Sequence, residues 1–115
     1  MSHDDAVFQE PDIAEALGII EPVVAELVED LPACQFSTRR FIEVLLGNEE
    51  YNEAYEAALR TFELDRENGL KILHGQVIAT ALRHQQTLAF AGFVHGDPDH
   101  VDPYCHSAWW RKERD

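Results

Sequence analysis

The sequence predicts an α+β protein that is mainly helical. Three observations carry this. Apolar residues recur at helical spacing through most of residues 12–85. Residues 87–95, "TLAFAGFVH", instead alternate and are rich in aromatic and branched side chains, and "YCHSAWWRK" at 104–112 suits a returning strand. Between these two runs lies "GDPDHVDP", a turn region with two prolines and three aspartates. The predicted order is an N-terminal helical hairpin, a three-helix unit and a C-terminal β-hairpin. A soft boundary near "LPAC" separates an acidic helical hairpin, 1–33, from the larger unit, 34–115.

Each element has a local reason. In "DIAEALGIIEPVVAELVED", Asp12 can cap a first helix whose apolar positions are Ile13, Ala16, Leu17 and Ile20. Gly18 can end that helix with a positive φ, and Pro22 suits the first turn of a second, because it has no N–H to leave unpaired there. Val23, Val24, Leu27, Val28 and Leu31 form the second stripe, closed by Pro32. Ser37 or Thr38 caps the next helix, 38–46, with Phe41, Ile42, Leu45 and Leu46 inward. "GN" at 47–48 breaks it. Helix 49–66 follows with an acidic first turn, which favours the helix dipole, and Asn68–Gly69 ends it. Helix 70–85 places Ile72, Leu73, Val77, Ile78, Ala81 and Leu82 inward. The expected core unites Phe41, Leu45, Tyr55, Leu59, Phe62, Leu73, Val77, Ile78, Leu82, Leu88 and Phe90.

With 115 residues, 45% hydrophobic and 27% charged, the chain has an ordinary globular composition and length for a modest core. No apolar run reaches the roughly 20 residues of a membrane span. The acidic N-terminus has no apolar h-region, so neither a secretory signal nor a membrane partner is expected. Cys34 and Cys105 stand far apart without a CxxC, which fits a reducing cytoplasm.

Charge is distributed unevenly. The net charge is −13, from 22 acids against 9 bases. Such a balance opposes nonspecific nucleic-acid affinity at low salt. It opposes it little at about 1 M, where the Debye length is roughly 3 Å. Residues 1–30 hold nine acids and no Lys or Arg; residues 68–96 hold no acid, with Lys71, Arg83 and three histidines. That second stretch reads either as an apolar segment with few charges or as a surface cleared for an anion.

Two patterns carry a resemblance. The small Ala14, the turn residue Gly18 and the apolar lock of Ile13, Leu17, Ile19, Val24 and Leu27 resemble the helix-turn-helix of bacterial and archaeal winged-helix regulators. "FSTRRFIEVL", followed by helix 70–85 and the hairpin, resembles the small winged-helix proteins common in archaea and their viruses. The resemblance implies a winged-helix-like unit whose third helix enters the major groove of double-stranded DNA while the hairpin touches its backbone. The acidic first motif departs from that pattern. Glu21, Glu26, Glu29 and Asp30 would be repelled by phosphate, so residues 12–31 are expected to serve as scaffold or as the surface for a protein partner.

The DNA-binding candidates are therefore Lys71, Gln76, Thr80 and Arg83 on helix 70–85, with Arg111 and Lys112 at the C-terminal end. Gly75 would let another part of the chain approach closely. Few cations make few phosphate contacts, so a homodimer is expected. The expected function is a cytoplasmic DNA-binding transcriptional regulator or accessory factor. The alternative is an acidic protein–protein interaction module of the same shape that does not bind DNA. His95, His100, Cys105 and His106 are the candidates for zinc, with Asp97, Asp99 and Asp102 as substitutes, but their spacing matches no zinc finger and no metal is expected. The sequence has no phosphate-cradling glycine loop, no GxSxG and no HExxH, so neither an enzyme nor a cofactor is expected.

Overall fold

The structure is a computed structural model, and it describes residues 13–113. Helix α1 spans Ala14–Asp30 and is followed by strand β1, Gln35–Ser37. Helices α2, Thr38–Leu46, and α3, Glu49–Arg60, come next. Helix α4 is one continuous rod of three pieces: α-helical Arg66–Ile72, π-helical Leu73–Ile78 and α-helical Ala79–Arg83. Strands β2, Leu88–Phe93, and β3, Ala108–Lys112, complete an antiparallel sheet of order β1–β3–β2. The α+β class and the helical majority agree with the sequence expectation.

The N-terminal helical hairpin is a correction: α1 is unbroken, with Pro22 inside it. Ala16, Ile20, Val24, Leu27 and Val28 keep one helical phase across the expected turn and are all buried. A turn at Gly18 would break that phase and expose half the stripe. Gly18 and Pro22 both lie on the exposed side, so the Gly18 carbonyl that proline deprives of a donor faces solvent. The expected cap at Asp12 lies outside the described residues. Along this stripe α1 packs on α3 and α4, and its buried residues belong to the same core cluster as Phe41, Leu59, Leu82 and Trp110.

Other boundaries follow their caps. The Ser37 hydroxyl accepts from the Arg40 N–H, as the sequence suggested. The Asn48 carbonyl oxygen accepts from the Tyr51 N–H at 3.1 Å and starts α3. Replacing this exposed cap, Asn48→Ala, is expected to cost about 1 kcal/mol. The change should appear as a lower urea midpoint at unchanged slope.

Helix α3 ends at Arg60 rather than near 66, because Asp65 caps a new helix through the Asn68 N–H. Asn68–Gly69 is therefore the first turn of α4 and not a terminator. Gly69 packs closely on α3 there: an added Cβ would stand 2.8 Å from Leu59 Cδ1, so that side chain would have to shift.

Strand β1 was not expected; three residues are too short for a periodic signal, and pairing with β3 defines them. The β2–β3 register slips between Phe90 and Phe93, where Gly92 takes φ +100° in a bulge. Of the expected core, Phe62 and Leu88 are only partly buried, and Phe90 is 47% exposed. Strand β2 is an edge strand, so Phe90 has sheet neighbours on one side only. Among the described residues no helix is long and apolar enough to cross a membrane.

Candidate functional site

The distinctive chemistry lies where the π-helical piece of α4 meets the 94–107 connection between β2 and β3. The site is held by three consecutive residues at the start of α2. The Ser37 hydroxyl is 2.8 Å from His100 Nδ1. Thr38 Oγ1 accepts from the Ala108 N–H and from Trp110 Nε1, and donates to the Ala108 carbonyl. The Arg39 N–H donates to Ser107 Oγ, while Arg39 Nη1 donates to Asp102 Oδ2 at 3.4 Å. Backbone and side chains of "STR" thus clamp both the long connection and the strand after it. Ser37, Thr38 and Ser107 are buried, and each has a partner, as buried polar groups require.

His74 sits inside the π-helical piece and is 1% exposed. Its Nδ1 is 3.1 Å from both Asp102 carboxylate oxygens, and its Nε2 is 2.5 Å from the Tyr55 hydroxyl. Tyr55 and Tyr104 pack edge-on against the imidazole. The Asp102 side chain is fully buried and also accepts from the Tyr104 N–H at 2.8 Å.

Burial alone would raise the Asp102 pKa. The hydrogen bond and charge of His74, then the Tyr104 N–H and Arg39, outweigh it and hold the carboxyl below the usual carboxylate range. Burial likewise pushes the Tyr55 phenol up, so it stays protonated at neutral pH.

Cys105 completes the cluster. One donor atom each from His74, Asp102 and Cys105 lies within 4.8 Å of the other two. Burial first, then the charge and hydrogen bond of Asp102, push the Cys105 thiol up to about 12. With these neighbours alone the sulfur is a thiol at neutral pH and a poor nucleophile. The cluster opens into a cavity of about 220 Å³ whose lining includes Gly75, Arg83, Phe93 and His106, with no carboxylate. Gly75 does admit a close neighbour, since a Cβ there would lie 3.4 Å from Cys105 Cβ. A π-helical turn inside an α-helix often marks a functional position, and here it carries His74 and Gly75.

The expected DNA-contact residues do not form one stripe. Arg83 is exposed at the cavity rim, with no hydrogen bond or ion pair among the described residues. Lys71 is exposed but 3.9 Å from Glu67 Oε2. Gln76 and Thr80 are half-buried. Arg111 is exposed on β3 beside Glu113, at 3.8 Å. Lys112 departs most from the expectation, because its ammonium donates to the Leu31 carbonyl and ties α1 to the sheet.

The expected metal candidates separate as well. His95 is exposed, His100 packs at a tilt against Trp109, and His106 lies edge-on against Phe93. Only Cys105 of the four joins a cluster, and its partners are Asp102 and His74. The overlooked signal was His74 itself, a histidine at core spacing between Leu73 and Val77. A buried imidazole needs two polar partners, and one had to come from elsewhere in the chain. Comparison with protein-family models, curated proteins and solved structures gave no match.

Proposed function

We propose that the chain is a DNA-binding regulator or accessory factor of winged-helix type that works as a homodimer. The observation that carries this reading is the placement of Arg83. It is an exposed, unpaired cation among the described residues, on the one long stretch of chain without an acid, beside the β2–β3 connection. The element order also supports it. A strand leads directly into helices and closes the sheet as β1–β3–β2, so the 94–107 connection stands as a wing next to α4. Helix α1 is scaffold in this reading. Its Glu26 accepts from the Tyr51 hydroxyl at 2.5 Å, and Glu21 meets His84 Nδ1 at 2.5 Å.

The test is a gel-shift series against genomic fragments over a range of salt. Arg83→Ala is expected to weaken binding by about 1–3 kcal/mol on preferred fragments if Arg83 reads a base. If it meets only phosphate, the loss is equal on all fragments and the salt slope falls by about one. Absence of any shift at low salt would remove the DNA reading.

A second reading, an acidic protein-interaction module, is favoured by one observation. Phe90 and Phe93, 47% and 41% exposed, meet edge-to-face on the edge strand β2. An open edge with exposed aromatics suits strand addition by a protein segment. This reading predicts no DNA shift from the parent protein and no effect of Arg83→Ala on DNA.

A further inference from the structure

The cluster beside the cavity, with His74 and Cys105 in its lining, has a donor set that the DNA reading does not use, and the inference drawn from it does not depend on that reading. We propose that His74 Nδ1, one Asp102 carboxylate oxygen and Cys105 Sγ bind a zinc-type divalent transition metal, with the fourth coordination position open to the cavity.

The chemistry of the donors fits. One imidazole nitrogen, one sulfur and one carboxylate oxygen are all zinc ligands, and three protein ligands with one open position is the pattern of reactive rather than purely structural zinc sites. Asp102 and a Cys105 thiolate would together neutralise a divalent charge inside the fold, where an uncompensated ion is costly. Calcium or magnesium would instead require mostly oxygen donors.

The geometry fits with a small adjustment. Donors around a tetrahedral zinc with bonds of roughly 2.0–2.3 Å stand roughly 3.3–3.8 Å apart. His74 Nδ1 and the Asp102 oxygens are already 3.1 Å apart, and the whole set lies within 4.8 Å. Gly75 lets Cys105 stand close against the helix, since an added Cβ would lie 3.4 Å from Cys105 Cβ. The cavity, about 220 Å³, leaves ample room for a fourth ligand, because a water needs roughly 30 Å³.

The surrounding shell fits too. Metal ligands are usually oriented by outer hydrogen bonds. Tyr55 holds His74 Nε2, while Arg39 and the Tyr104 N–H hold Asp102. On binding, the Cys105 S–H bond breaks, its electron pair goes to the metal and the proton leaves to solvent. At His74 the proton that Nδ1 donates to Asp102 in the free protein moves to Nε2, which then donates to the Tyr55 oxygen while the phenol O–H turns away. One proton is therefore released per ion. The ion would staple the 94–107 connection to α4, because His74 belongs to one and Asp102 and Cys105 to the other.

The experiment titrates the metal-stripped full-length chain with cobalt(II), then displaces it with zinc. The expected result is one ion per chain, tetrahedral d–d bands, a thiolate-to-cobalt charge-transfer band in the near ultraviolet, and one proton released. Cys105→Ser should remove the charge-transfer band, while Cys34→Ser should keep it. Asp102→Asn should weaken binding by about tenfold or more. The parent-protein titration stands whether or not a variant folds. Failure to bind cobalt at micromolar concentration, binding without a thiolate band, or a band that survives Cys105→Ser would each overturn the proposal.

Discussion

Asp102→Ala is expected to destabilise the protein by about 3–5 kcal/mol, the range for removing one partner of a buried pair. The carboxylate satisfies His74 Nδ1 and the Tyr104 N–H, and it takes one bond from Arg39. Its loss orphans buried donors, each worth about 1–3 kcal/mol when left without an acceptor. Asp102→Asn keeps an acceptor for His74 and should cost less.

Acid also separates the parent from Asp102→Asn. The folded Asp102 carboxyl titrates below its unfolded value, which is about 3.9. Its contribution is therefore fully present above about pH 4 and is lost as pH falls through the lower folded value. Urea midpoints measured from pH 7 down to pH 3 check this. The parent should lose stability at the acid end with a steeper slope than Asp102→Asn. Equal slopes would show that Asp102 is not held ionised by His74 and Arg39.

Trp110→Ala is expected to cost a similar amount, about 3–5 kcal/mol. Trp110 is 2% exposed on the central strand, opposite Phe36 of β1 and Phe90 of β2. Truncation would leave a large hole against the helices and remove the indole N–H from Thr38 Oγ1, at 2.9 Å. Trp110→Phe keeps most of the volume and loses mainly the hydrogen bond, so it should fall near 1 kcal/mol plus a small packing loss. Circular dichroism during urea unfolding reads both variants without relying on tryptophan emission. A Trp110→Ala loss below about 1 kcal/mol would mean that the sheet is not seated on the helices as described.

Much of this protein was legible in its residue order. Periodic apolar positions identified α2, α3 and the C-terminal half of α4, and alternation identified β2 and β3, because a helix face and a strand face leave different spacings along a chain. Ser37 announced its cap, because capping joins residues only three apart. Local signals were misread where two compete. Gly18 and Pro22 speak for a turn, but the stripe Ala16–Ile20–Val24–Val28 speaks for one helix, and burial against α3 and α4 decided for the stripe. Spacing alone does not weigh that burial.

The site was the least legible part. Its bonds join residues far apart in the chain, Thr38 to Trp110, Arg39 to Asp102 and Tyr55 to His74. The sequence by itself determined that a helix with Leu73 and Val77 inward was followed by a strand and a proline- and aspartate-rich turn. Only the tertiary structure decided that Asp102 and Cys105 of that turn meet His74. The choice depended on the three-residue strand β1, whose pairing with β3 places the "STR" clamp beneath the connection, and a strand that short exists only by virtue of its partner.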